Sequence, residues 1–106
     1  MPSRTAAQNS GSFNWTDTSN VEVNPGPFQL DIYATGTAFA SSEPAAWQNG
    51  DKPSGATIQS VSETQLRLTV TNNNSGKVPV PYGLAVFNTA RQQTSYLTVL
   101  FKSNPG

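Results

Sequence analysis

Any acid–base chemistry in this chain would fall to six carboxylates, Asp17, Glu22, Asp31, Glu43, Asp51 and Glu63, because its 106 residues include no histidine and no cysteine. Histidine is the usual general base and the commonest transition-metal ligand, so serine triads, HExxH sites and zinc fingers are excluded. Without cysteine there are no thiolate metal sites, thiol nucleophiles or disulfides. Six scattered carboxylates are what a small domain carries for solubility. The expectation is therefore a non-enzymatic protein without a cofactor. Asn49, Asp51 and Asp17 offer oxygens to Ca²⁺, but that ion wants about six to eight of them, several from clustered carboxylates. The chain has no D-x-D-x-D-G run, and no metal is expected.

Two other residue sets could bind rather than react. Trp47 is followed by Gln48, Asn49, Asp51 and Lys52. An aromatic plate beside amides and a carboxylate suits a pyranose, whose apolar face stacks while its hydroxyls are bridged. Trp47, Gln48, Asn49 and Asp51 are thus a candidate glycan site. The competing reading is that the indole anchors a long loop by burying most of its roughly 150–250 Å², and this is the preferred one. Tyr33 forms the second set with Gln29 and Asp31, opposite Arg67, Thr69 and Thr71, an ordinary cross-strand arrangement.

These residues must be placed by strands. Val21 and Val23 flank Glu22 and are closed off by Asn24-Pro25-Gly26-Pro27, a turn signal. Phe28, Leu30, Ile32 and Ala34 alternate with Gln29, Asp31 and Tyr33, a period of two with one face inward. Residues 35–40 are expected to continue this strand past a bend at Gly36. Residues 41–56 have no strand character and allow at most one helical turn, over 44–48. Strands resume at 57–61 and 65–71, and Asn72 to Gly76 is a turn. Val78-Pro79-Val80-Pro81 suits an edge or a connector, since proline lacks a ladder donor. The last strands span 82–88 and 94–102. About seven to eight short strands with almost no helix predict an all-β, antiparallel two-sheet β-sandwich, immunoglobulin-like or jelly-roll.

Residues 1–11 are polar and aperiodic and are expected to form an arm, with 12–106 as one sandwich domain. The arm offers Arg4, Gln8 and Asn9 for contacts to a neighbour. The final strands are apolar on both parities, and a strand of that kind must be covered on both faces. Tyr82, Leu84, Val86, Phe87, Tyr96, Leu97, Val99 and Phe101 are therefore candidates for a subunit interface.

Charge narrows the partners. Six Lys/Arg balance six Asp/Glu, and charged residues are 11% of the chain against a usual share of roughly 25%. No basic stripe exists to release counterions from nucleic acid or to hold an anionic membrane. No apolar run approaches the roughly 18–20 residues of a membrane span, and the start lacks the apolar core of a secretory signal. A virion or cytoplasmic location is the expectation. The function expected is a structural or assembly role. It would be a decoration protein of virion type, such as a capsid cement, head-fibre or tail-associated sandwich, forming homo-oligomers or binding a larger particle. The alternative is a carbohydrate-binding module or small lectin using the Trp47 loop.

Overall fold

The computed structural model describes residues 10–13 and 15–104. Eight strands follow one another: β1 (Ser10–Phe13), β2 (Thr18–Val23), β3 (Gly26–Ala34), β4 (Ala45–Trp47), β5 (Thr57–Ser62), β6 (Gln65–Asn72), β7 (Val80–Phe87) and β8 (Thr94–Phe101). Single 3₁₀ turns at Gln48–Gly50 and Thr89–Arg91 are the helical content of the described residues. The strands form two four-stranded sheets, β1-β3-β6-β5 and β2-β8-β7-β4. With β3 to β8 taken as strands B to G, the orders read A-B-E-D and G-F-C, the arrangement of an immunoglobulin constant-type sandwich, with β2 added along β8. The expected sandwich is thus observed in its immunoglobulin-like form. Most pairings are antiparallel, but β1 with β3 and β2 with β8 are parallel.

The period-two pattern explains which side of each strand turns inward. Phe28, Leu30 and Ile32 of β3 and Leu66, Leu68 and Val70 of β6 face Val21 and Val23 of β2, Leu84 and Val86 of β7, and Leu97, Val99 and Phe101 of β8 across the core. Each such side chain, fully buried, contributes about 1.5–3 kcal/mol against exposure.

The same core corrects the interface expectation. Leu84, Val86, Leu97, Val99 and Phe101 are buried inside the chain itself, with exposures of 0–2%, so they present nothing to a neighbour. Tyr82 shares their parity and packs half-buried on the core. Of the eight candidates, only Tyr96 and Phe87 lie on the outer parity of this sheet.

Three local expectations also change. Residues 44–48 do not form a helical turn, because Ala45–Trp47 pairs with Leu84–Val86 as β4. The strand over 28–34 ends at Ala34; the chain then crosses to the other sheet, where Phe39 bridges Asn88. Val80 and Pro81, by contrast, open β7 at an edge, the first of the two readings their prolines allow. Proline is tolerated there because β4 reaches only to Leu84, leaving the far side of β7 at Pro81 without a neighbouring strand. At the amino end, Ser10 and Gly11 belong to β1 rather than to an arm. Arg4, Gln8 and Asn9 lie outside the described residues.

Candidate functional site

The sandwich has two differently built ends. At one, where β7 begins and β8 finishes, Trp47 meets Tyr82 edge-on at 6.4 Å, and Tyr82 meets Phe101 at 5.1 Å. The indole is half-buried against the core. Gln48, Asn49 and Asp51 are exposed on the 3₁₀ turn that follows. Asn49 is left-handed there (φ 59°), and the Asp51 amide donates to the Gln48 carbonyl at 3.0 Å. Gln48 turns back over Gly83 on the outside of the sheet, so close that a Cβ at that position would collide with its amide. The expected glycan constellation is therefore split, with its plate facing inward and its amides outward. Asn72 closes this end. Its Nδ2 donates to the Val23 and Lys102 carbonyls at 2.9 and 3.1 Å, and its Oδ1 accepts from the Asn74 amide at 2.9 Å.

The opposite end is open. Residues 35–44 cross between the sheets and are pinned to both. The Phe39 amide donates to the Glu63 carbonyl at 2.9 Å, on the β5–β6 hairpin. On the other sheet, the Ala40 amide donates to the Phe87 carbonyl at 2.9 Å, and the Thr89 amide donates to the Ala38 carbonyl at 3.1 Å. Phe39 is buried with Trp15 edge-on at 5.7 Å, and the Trp15 indole donates to the Thr35 carbonyl at 2.9 Å. Beside this strap lies a cleft of about 430 Å³ lined by Ala38, Phe39, Ala40, Ser41, Ser60, Ser62, Glu63 and Thr89. Small-molecule sites span about 300–1,000 Å³.

Arg91 fastens the outer side of this end. Its guanidinium lies 4.5 Å from the Phe87 ring centroid and donates through Nη2 to the Ser42 and Glu43 carbonyls at 3.1 and 2.9 Å. Three residues here, Glu43, Ala90 and Arg91, hold positive φ values of 48–59°, a conformation that side chains with a Cβ rarely adopt.

The two outer faces also differ. On β3 and β6, Gln29, Asp31 and Tyr33 stand opposite Thr69, Arg67 and Gln65, the wet face predicted from the alternation. Arg67 Nε donates to Asp31 Oδ1 at 2.9 Å. That hydrogen bond, and then the carboxylate's charge, push the guanidinium pKa further above its already high ordinary value. The outer face of β2-β8-β7-β4 carries Ala46, Ala85, Gly83, Thr98, Leu100 and Tyr96, and Tyr96 is 42% exposed. Glu22 is the one acidic side chain on its strands. Among the described residues, no three His, Cys, Asp or Glu side chains gather to hold a metal, and no helix is long and apolar enough to cross a membrane.

This sandwich recurs within a much larger enzyme. A solved structure of an endo-fucoidan hydrolase of glycoside hydrolase family 107 superposes with a TM-score of 0.50 and 13% identity, over 79% of this chain and 12% of that one. The chain thus matches about an eighth of that enzyme's length, and at this identity the likeness shows the fold alone. No family model and no curated protein matches the sequence.

Sequence reasoning did not single out the cleft. Ser41, Ser60, Ser62 and Thr89 look like solvent-facing filler, and they converge only because the strap crosses between the sheets. The available signal was the strap's own apolar run, Ala38-Phe39-Ala40, in a mostly polar connection.

Proposed function

We propose that this protein is a non-enzymatic assembly module that pairs with a second copy of itself, on or alongside a larger particle such as a virion, through the outer face of β2-β8-β7-β4. The observation that carries this reading is the relief of that face. Ala85 and Ala46 make a low strip bordered by Leu100 and the exposed Tyr96, with the uncharged Gln48 side chain folded over Gly83 beside it, whereas the other sheet is covered by the Asp31–Arg67 pair and glutamines. A face poor in charge with an exposed tyrosine at its margin suits protein contacts, where tyrosine is enriched and Lys, Glu and Asp are depleted. The composition supports the same reading, since a net charge of zero does not oppose self-association. Light scattering behind a sizing column tests it. The expected mass is a multiple of 11.3 kDa, falling to the monomer in Tyr96→Lys while the melting temperature is kept. A chain that is monomeric at every concentration would overturn the self-pairing.

A second reading, carbohydrate binding, is favoured by one specific observation. The fold occurs as a small share of an enzyme that acts on a carbohydrate. Trp47 does not serve this reading as a stacking plate, because its ring is packed on Tyr82.

A further inference from the structure

We infer that the cleft at the open end of the sandwich is a binding site for a neutral saccharide. The inference rests on the carbohydrate reading above and gives it a location that the Trp47 loop does not provide.

The cleft is built before any ligand arrives. Its wall, residues 38–41, is held by backbone hydrogen bonds to Glu63 on one side and to Phe87 and Thr89 on the other. Phe39, 5% exposed, is wedged against Trp15 beneath it. A site held from both sheets loses little conformational freedom on binding, which is how preorganisation raises affinity.

Its chemistry selects the ligand. The hydroxyls of Ser41, Ser60, Ser62 and Thr89 are donors and acceptors at once, and Glu63, an exposed residue of the β5–β6 turn, also lines the cleft. Two hydroxyls have work within the protein: Ser62 Oγ accepts from the Thr64 amide at 3.2 Å, and Thr89 Oγ1 donates to the Ala38 carbonyl at 3.3 Å. Each keeps capacity for a further partner. Ala38 supplies most of the apolar part of the lining, since Phe39 and Ala40 are almost fully buried beneath it. No lysine or arginine lines the cleft, and Arg91, on the neighbouring 3₁₀ turn, directs its Nη2 to the Ser42 and Glu43 carbonyls and stacks on Phe87. An anionic ligand would find no cation in the lining. A divalent cation would find one carboxylate where several are needed. What fits is a molecule presenting several hydroxyl donors around a small apolar face, which describes an uncharged sugar ring.

The test is a two-dimensional amide NMR titration of the full chain with galactose, mannose, fucose, glucose and N-acetylglucosamine, each as monosaccharide and short oligomer. The expected result is fast-exchange shifts confined to residues 38–41, 60–63 and 89 for at least one neutral sugar. Glu63→Gln should weaken that binding about tenfold or more, since a hydrogen bond to a charged group outweighs a neutral one. Its spectrum should otherwise match the wild type, because Glu63 joins the fold through its backbone. Ser60→Tyr, at an exposed strand position, should abolish binding by filling the cleft. Shifts mapping to Tyr33 and Arg67, or to 48–51, would overturn the cleft while sparing the carbohydrate reading. No shift from any sugar would overturn both. Stronger shifts from a cationic probe such as spermidine would overturn the neutral class.

Discussion

The two ends of this sandwich are held by different means, and the difference separates residues that hold the fold from residues free to bind. At the Asn72 end, one buried side chain of the first sheet reaches two carbonyls of the second, and an aromatic run from Trp47 through Tyr82 to Phe101 fills the space beneath. Side chains close that end. At the Phe39 end, backbone bonds of a crossing strap tie the two sheets, and residues such as Ser41, Ser60 and Glu63 are left lining an open cleft. An end stapled by its backbone can vary its side chains without losing its shape.

The sharpest way to break this comparison is Asn72→Ala. It removes both carbonyl contacts and leaves the Asn74 amide without its acceptor. At about 1 kcal/mol for each hydrogen bond lost, with more where a buried group is orphaned, the cost is roughly 3 kcal/mol. For a domain of this size that lowers the melting temperature by more than about 10 °C. Asn73→Ala, one residue on and exposed, should stay within about 0.5 kcal/mol of the wild type. Equal melting temperatures for the two variants, measured by calorimetry, would show that the closed end is not held by Asn72.

Trp47→Ala comes next. A fully buried Trp-to-Ala change costs about 3–5 kcal/mol, and Trp47 is half-buried, so about 2 kcal/mol is expected, read from urea unfolding. A neutral result would return the indole to the role of an exposed binding plate.

The contrast between the ends also explains what was legible in the sequence. Alternation is local, so Phe28 to Tyr33 and Leu66 to Thr71 disclose both their strands and their inward face. The same alternation puts Asp31 and Arg67 on the outer face, and the β3–β6 register then sets them directly opposite. The final strands were harder. Their two apolar parities are real, but pattern alone does not say which parity the opposing sheet covers, and Leu84, Val86, Leu97, Val99 and Phe101 are claimed by the core. Ala45-Ala46-Trp47 is too short for its periodicity to distinguish a strand from a helical turn; pairing with β7 decides it. The cleft was least legible, since its residues come from three separate segments and meet only through the path of the strap. Asn72 looked like the start of an ordinary turn. That a turn asparagine bridges the two sheets is a fact of tertiary structure, invisible to local rules.

The smallest of the expected effects separates the ends most finely. Arg91→Ala removes a guanidinium stacked on Phe87, an attraction of about 0.5–1 kcal/mol at an exposed site. It also removes the contacts to the Ser42 and Glu43 carbonyls, which water can replace because both are exposed. The ion pair to Glu43 Oε2, at 3.6 Å and open to solvent, contributes little. The expected loss is therefore about 1 kcal/mol, well below that of Asn72→Ala. Arg91→Lys should recover little of it, because an ammonium keeps the charge but not the planar fork that stacks on a ring while donating to two carbonyls. Hydrogen exchange gives the more telling readout. The Ala40 amide, bonded to the Phe87 carbonyl next to the stacked ring, should exchange faster in Arg91→Ala, while the amides of β6 near Asn72 keep wild-type protection. If the loss of protection instead spread evenly over both sheets, the open end would be as integral to the core as the closed one, and the division between holding and binding residues would fail.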